Sequence, residues 1–430
     1  MADQSATVVA DRISGAPLIV LTLRGAVVGL AAGAGAAAYI WVEHGLSHAL
    51  WHGLPALFGA ADAQWWLVLG LPILGGLLTW AAMRLPGRGG HSPLAGLALD
   101  IGPDRLASVL LAALASLAFG AVLGPEAPLV AIGTAAGAAL VRSAQPASRQ
   151  VMMIVGAMAA VGAVLGNPVV TMVLLLELTL AAGTRLATPA VLLPSLAGLG
   201  SGYLLQVGVA QWTGLGAVRL SLPGLAAYPD VAVVDLLTAV PLALVVAILA
   251  LLARLGGLRL EQSAHRAPLV WLLVAGAVTG LAALGGAALT GTRTELVLFA
   301  GQASMTDYLA LGSAATALIV LAAKFVAYVA CLGGGFRGGA LFPAISIGTL
   351  LAVSAALVVP GTAVAPLAAV AIAAATAAGM RLPFTAVLLG ALLTASAGPA
   401  TAVLAIVGAI VGMLLRLAAE FRVPAVASGH

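Results

Sequence analysis

The chain of 430 residues is 62% hydrophobic and only 7% charged, with a formal net charge of +4 at pH 7. A soluble globular protein carries roughly 25% charged residues, so this composition excludes a water-covered surface and indicates an integral membrane protein. The positive charge comes mainly from arginines near the ends of apolar stretches, which is typical of membrane topology and not of a nucleic-acid-binding surface.

Apolar stretches predict roughly ten to twelve membrane segments, since a spanning helix needs about 20 apolar residues. The first, near residues 17–41, is interpreted as a retained helix because no signal-peptide cleavage site is evident. A transmembrane β-barrel would show short alternating segments, which are absent from the sequence, so we predict an all-α polytopic membrane protein. Cys331 is the only cysteine, which excludes an internal disulfide or a Cys-rich metal site; no cofactor and no metal are expected.

The first informative interruption is a glycine-rich stretch at residues 84–94 that contains Gly90 and Ser92. Such a break can present backbone N–H groups to an anion before the next helix begins. A cytoplasmic loop flanked by arginines explains this stretch equally well.

The sequence GPEAP at residues 124–128 places one carboxylate, Glu126, between two prolines within a long apolar run. An ionisable group at such depth is expensive and by default indicates function. Gly124 and the prolines break the chain before an apolar helix, whose unpaired N–H groups and positive dipole end suit an anion. We predict that Glu126 occupies or guards an anion site; the alternative is an ordinary helix-start carboxylate or one neutralised by burial.

An internal repeat relates the two halves of the chain at a constant offset of 215 residues. The equated pairs are Gly120 and Gly335, Gly124 and Gly339, Pro128 and Pro343, Ile132 and Ile347, Gly133 and Gly348, Thr134 and Thr349, Pro168 and Pro383, and Thr179 and Thr394. We predict two inverted-topology repeats, residues 1–215 and 216–430, that together form one transmembrane domain. Their broken helices should direct two N-termini at a central anion site. Glu126 is equated with Leu341, so the site should have one carboxylate gate.

Two other ionisable residues, Arg337 and Glu177, have two interpretations each, and a third, Arg381, has one. Arg337, just before the second break, either attracts anions into a vestibule or snorkels to the interface. Glu177 is either a second proton carrier or a structural hydrogen-bond partner. Arg381, at the equivalent of Gly166, is expected to face the inner mouth.

These motifs resemble the CLC family of chloride channels and proton-coupled chloride transporters. GPEAP resembles the family's Gly-x-Glu-Gly-Pro, GALFP at residues 339–343 resembles Gly-x-Phe-x-Pro, and residues 166–178 and 379–385 resemble its Asn-Ala-Pro helix and the counterpart. The resemblance implies a homodimer with one anion pathway per subunit and makes Glu126 the external gate. The anion-binding residues that it implies are Gly90, Ser92, Gly124, Pro125, Ala127, Gly339, Ala340, Leu341 and Phe342.

The sequence departs from the family pattern at three places. Gly90 falls where the family has an anion-contacting serine, unless Ser92 replaces it, and no tyrosine follows Tyr328 to supply the family's second hydroxyl. The internal proton-relay glutamate falls at Leu178, beside Glu177. The resemblance is therefore to a divergent bacterial branch, with a wider central site and weaker proton coupling by the usual route.

The predicted function is transport of chloride or a similar small anion across the lipid bilayer of a bacterial inner membrane, with protons as a further partner. Fluoride export on the same fold and cation-coupled transport of another solute are the alternatives. An intramembrane enzyme would need a catalytic pair that the sequence lacks. A channel and an exchanger would use Glu126 alike, so the sequence leaves that choice open.

Overall fold

The protein is described by a computed structural model that covers residues 15–60, 62–96, 99–141, 146–181, 188–213 and 221–422. These residues form helices and no strands, which confirms the all-α fold class. The α-helices are α1 Gly15–His48, α2 Leu54–Leu57, α3 Trp65–Ala82, α4 Pro103–Leu117, α5 Glu126–Leu140, α6 Pro146–Leu165, α7 Pro168–Ala181, α8 Pro189–Thr213, α9 Val233–Ala264, α10 Pro268–Thr290, α11 Met305–Leu309, α12 Ala314–Gly333, α13 Leu341–Val358, α14 Val364–Met380, α15 Pro383–Leu393 and α16 Ala400–Arg422.

Nine helical segments in the described residues are long and apolar enough to cross a membrane. Helices α5, α7, α14 and α15 are apolar but shorter than a full span. Proline marks many of the starts: α4, α6, α7, α8, α10 and α15 all begin with it. Proline suits the first helical position because its fixed φ is already helical and its missing N–H would be unpaired there.

The helices cluster into two compact units. Unit 1 consists of the described residues of Met1–Val42, Leu97–Leu110 and Glu126–Leu220; unit 2 consists of those of Glu43–Gly96, Leu111–Pro125 and Ser221–His430. The predicted joint of the two sequence repeats, near residue 215, lies outside the described residues, so the boundary between residues 1–215 and 216–430 stays a prediction.

Close helix packing in unit 1 depends on glycine. A Cβ on Gly133 of α5 would lie 2.1 Å from the carbonyl oxygen of Gly156 on α6. A Cβ on Gly29 of α1 would likewise meet the backbone of Gly198 on α8 at 2.1 Å. Small residues let membrane helices approach this closely, where packing and not the hydrophobic effect stabilises association.

Unit 2 is built around α14, an alanine-rich helix whose residues from Ala365 to Ala378 are all buried. It packs against α9, α13, α15 and α16. A Cβ on Gly408 of α16 would lie 2.2 Å from the carbonyl oxygen of Val370. The small residues of α14 thus allow four helices to surround one axis.

The backbone keeps the offset of the sequence repeat. Gly120 and Gly335 have φ angles of 94° and 103°, and Gly166 and Arg381 have φ angles of 58° and 61°. A non-glycine residue in this left-handed region is uncommon, so Arg381 takes a glycine-like conformation at the equated position. The close contact of α5 with α6 also has a counterpart, because a Cβ on Gly348 of α13 would lie 2.9 Å from the carbonyl oxygen of Ala371 on α14.

Substituting Gly133 with alanine should lower the melting temperature of the detergent-purified protein and its monodisperse yield. The new Cβ would overlap the Gly156 carbonyl, and such overpacking typically costs about 1–3 kcal/mol. Gly200→Ala on α8 is the matched control, because its Cβ would meet nothing within 4 Å and should leave stability equal or slightly higher. Equal melting temperatures for Gly133→Ala and the wild type would contradict this prediction, because α5 and α6 would then accommodate the added methyl group without loss of stability.

Candidate functional site

The two helix breaks that the repeat predicts are hydrogen-bonded to each other. The N–H of Gly124 donates to the carbonyl of Gly339 at 2.8 Å, and the N–H of Gly339 donates to the carbonyl of Gly124 at 2.5 Å. A Cβ on Gly338 would lie 2.7 Å from Leu123 Cβ, so only glycine allows this approach. Two residues equated by the repeat are thus paired reciprocally, as a local two-fold relation requires.

Helix α5 begins at Glu126 and α13 begins at Leu341, each two residues beyond the paired glycines. Glu126 is only 3% exposed, and its equated residue Leu341 is 7% exposed. Glu126 belongs to unit 1, with Ala127 after it on α5, whereas Pro125 belongs to unit 2. A carboxylate at this position lies at the positive end of its own helix dipole.

Glu177 is a second buried carboxylate of unit 1. It lies on α7 and is 7% exposed. The helix is capped by Asn167, whose Oδ1 accepts a hydrogen bond from the N–H of Val169 at 2.8 Å. The Asn-Pro break therefore sets the start of the helix that carries Glu177, as the sequence pattern indicates.

The glycine-rich stretch forms a turn followed by a short 3-10 helix, Pro93–Ala95. The Gly90 N–H donates to the Gly87 carbonyl at 2.9 Å, so this donor is used within the turn. Ser92 caps the 3-10 helix: its Oγ accepts from the Leu94 N–H at 3.3 Å. Because a hydroxyl both accepts and donates, Ser92 keeps a hydrogen to offer to a ligand.

A cavity of about 80 Å³ lies within unit 2. Pro93 and Leu94, which directly follow Ser92, line it, as does Ala340, the N-cap residue of α13. The first N–H groups of a helix are not paired by the helix itself, and they carry its positive partial charge. The cavity therefore brings residues next to the glycine-rich break together with the helix start at the second break.

Three arginines line the same cavity: Arg254, Arg381 and Arg416. Arg416 is 2% exposed, and its Nε donates to Glu420 Oε1 at 2.7 Å; Arg381 Nη1 lies 3.8 Å from Glu420 Oε2. Arg254 Nη1 donates to the Leu94 carbonyl at 3.1 Å. Glu420 is thus paired with two of these three guanidinium groups. The sequence pattern predicts that Arg381 faces the inner mouth, which stays a prediction, and it predicts only a topological role for Arg254 and Arg416.

The cavity also contains a tyrosine that the family pattern did not assign. The family pattern has a tyrosine later in the chain, and no tyrosine follows Tyr328 in this sequence. Tyr328 itself lines the cavity. Its hydroxyl donates to the Ala340 carbonyl at 2.9 Å. A phenol from α12 therefore lies beside the start of α13, where the family pattern led us to expect none.

The remaining predicted residues lie near the same helix start. Phe342 is 1% exposed on α13, and its carbonyl accepts a hydrogen bond from Ser346 Oγ at 3.0 Å. Arg337 lies between α12 and α13, and its N–H donates to Ser116 Oγ at 3.0 Å. The described residues contain no cluster of three His, Cys, Asp or Glu side chains that could hold a metal ion.

The fold and this site define a polytopic helical membrane protein whose broken helices border a cationic cavity. A family model described as "Voltage gated chloride channel" matches residues 94–416, and the chain belongs to this family, the CLC family. The "Putative ion-transport protein YfeO" of Salmonella schwarzengrund (strain CVM19633) is 27% identical over 347 residues, which cover 78% of this chain and 80% of that protein.

Solved structures show the same fold. A slow cyanobacterial Cl-/H+ antiporter superposes with a TM-score of 0.75 and 19% identity, covering 95% of this chain and 98% of the other. A CLC-type fluoride/proton antiporter superposes with a TM-score of 0.70 and 19% identity, covering 94% of this chain and 97% of the other. The protein is therefore an integral membrane protein with the CLC transporter fold.

Proposed function

We propose that this protein moves a small inorganic anion, chloride or one of similar chemistry, across a bacterial inner membrane. The observation that carries the proposal is the cavity of unit 2, which is lined by the helix start at Ala340 and by three arginines. Such a wall attracts anions and repels cations. Membership of the CLC family supports the same function.

In this proposal Glu126 is the gate. As a carboxylate it occupies an anion position; when it is protonated it leaves that position and the anion passes. The backbone N–H groups of Ala340 and Leu341, with Gly339 and Phe342 around them, hold the anion on the side of α13. Gly124, Pro125 and Ala127 shape the start of α5. Ser92 and Gly90 border the path, and Glu177 passes protons.

The assembly that we propose is a homodimer in the lipid bilayer with one pathway in each subunit. The two sequence repeats, residues 1–215 and 216–430, form each subunit's single transmembrane domain. This follows the family architecture, and the family's role in ion movement is the reason that we propose transport and no enzymatic reaction.

Fluoride is the second candidate substrate. The observation that favours it is the fold match to a CLC-type fluoride/proton antiporter. The departure at Gly90 from the family's serine is consistent with a different anion preference.

Liposomes loaded with chloride, fluoride or nitrate and containing the purified protein test the proposal. We expect the external anion concentration to rise at a rate proportional to the protein content, above that of protein-free liposomes. Opposite proton movement against its own gradient would identify an exchanger, and anion flux that does not drive protons would identify a passive pathway. Release of fluoride alone would select the second candidate, and no release of any of the three anions would overturn the proposal.

A further inference from the structure

Arg337 is half-buried, and its guanidinium lacks an oxygen acceptor among the described residues. Its Nε is enclosed and makes no hydrogen bond, and its Nη2 has only a weak acceptor, the Met83 sulfur at 4.0 Å. Gly89, in the glycine-rich turn, leaves room for it: a Cβ there would lie 3.3 Å from Arg337 Nε. Because Gly89 has a φ of 74°, a glycine is favoured on both conformational and steric grounds.

The backbone that carries this side chain is held in place. The Arg337 N–H donates to Ser116 Oγ, which in turn donates to the Ala112 carbonyl at 2.8 Å and lies 3.1 Å from Thr79 Oγ1. The adjacent Gly338 lies against Leu123 and Gly124. The backbone of Arg337 is therefore ordered before any ligand arrives, which reduces the ordering cost of binding.

A buried guanidinium stays charged, since arginine does not lose its proton in proteins. Burial lowers the pKa of Arg337 from its ordinary value, and Glu261 raises it in part. No carboxylate of the described residues lies within salt-bridge distance of Arg337. Buried charges are ordinarily paired, so an enclosed Nε without an acceptor is unusual.

We infer that Arg337 is a direct ligand of the transported anion, one that donates N–H groups where the family pattern has hydroxyls. The inference rests on the proposed function and goes beyond a vestibule charge that acts at a distance. A guanidinium presents its donors as a planar fork that matches planar oxyanions bidentately. This side chain should therefore favour nitrate over chloride.

Anion-dependent thermal stability of the detergent-purified protein tests this without measuring transport. At constant ionic strength, sodium gluconate is replaced stepwise by nitrate, chloride or fluoride, and the melting temperature gives an apparent Kd. Arg337→Met should weaken the apparent nitrate affinity about tenfold or more, as expected for loss of charge-assisted hydrogen bonds. In gluconate alone it should melt at the wild-type temperature or higher, because an unpaired buried charge is removed.

Arg84→Gln is the matched control. It also removes one positive charge near the glycine-rich turn, but Arg84 is exposed and stacks on Trp80 at 3.9 Å, so the anion response should stay that of the wild type. Should Arg337→Met fold poorly, Arg337→Lys keeps the charge without the fork and should lose the preference for nitrate over chloride.

Two outcomes would overturn the inference. If Arg337→Met melts lower in gluconate and keeps the wild-type anion response, Arg337 is structural while anion transport stands. If the wild type responds to none of the three anions, the inference and the proposed function fail together.

Discussion

Replacing Glu126 with glutamine should make anion flux independent of pH and abolish any proton movement coupled to it. Glu126 is buried at the start of α5, directly after the paired break, and an amide at that position does not ionise. The protonated fraction of a single carboxyl changes by up to about tenfold per pH unit. Wild-type flux should therefore vary by up to about tenfold across one unit, and flux of the variant should stay flat. Chloride and proton fluxes from liposomes at a series of symmetric pH values provide the measurement.

Two further variants sharpen this experiment. Asp104→Asn removes an exposed carboxylate from the first turn of α4 and should keep the pH dependence of the wild type. Glu177→Gln should keep the pH dependence of anion flux while reducing proton movement, because it removes a proton carrier and leaves the gate. If Glu126→Gln retained the full pH dependence, some other group would be the titrating gate.

The helix breaks of the two repeats could be predicted from the sequence, because the backbone conformation at these positions favours glycine. Gly120 and Gly335 both have positive φ, which glycine adopts without penalty, so the same residue recurs at the same offset. Gly133 and Gly348 recur because each lies against the backbone of a neighbouring helix. The equivalence of Arg381 with Gly166 could be predicted only from the constant offset, because an arginine and a glycine share no chemical property that would equate them.

The cavity could not be predicted, because its walls come from helices far apart in the sequence. Arg254 lies on α9 and Arg416 on α16, each within an apolar stretch, where arginine is equally typical of membrane topology. Only the packing of α9, α14 and α16 in unit 2 brings these side chains to one cavity. The place of Tyr328 could not be predicted for a related reason: the family pattern has its tyrosine later in the chain, whereas here the hydroxyl comes from α12.

These cavity residues also bear on the alternative of a cation-coupled carrier. A cation site needs an excess of carboxylate or carbonyl oxygens, but here Glu420 is shared by Arg416 and Arg381. A cation in this cavity would meet Arg254 and the positive end of α13, and Glu420 is already paired with two guanidinium groups. At the low effective dielectric of a protein interior, this repulsion amounts to several kcal/mol per close pair. The cavity therefore favours an anion as the transported species.

Replacing Lys324 with methionine should destabilise the protein at least as much as replacing Gly133 with alanine. Lys324 is fully buried on α12, and its Nζ lies 3.1–3.4 Å from four consecutive backbone carbonyls, those of Leu296, Val297, Leu298 and Phe299. Methionine fills the space but leaves the carbonyls of Val297, Leu298 and Phe299 without this donor, at about 1–3 kcal/mol for each buried acceptor left unpaired. The Leu296 carbonyl keeps the hydrogen bond from the Tyr308 hydroxyl. Relief of the buried charge offsets part of this cost, so we expect a net loss of about 3 kcal/mol, measured as a lower melting temperature in detergent.

The effect should reach the site through the loop that these carbonyls form. Phe299 packs on Trp51 with ring centroids 5.3 Å apart, and the next carbonyl, of Ala300, accepts a hydrogen bond from Ser346 Oγ on α13 at 2.8 Å. Loosening the loop should therefore also reduce anion flux per folded protein. Val326→Met on the same helix is the matched control, because Val326 is 50% exposed and should tolerate the change. If Lys324→Met had the same melting temperature as the wild type, the cost of burying the ammonium group would equal the contribution of its four hydrogen bonds. Lys324 would then not contribute to the stability of the fold.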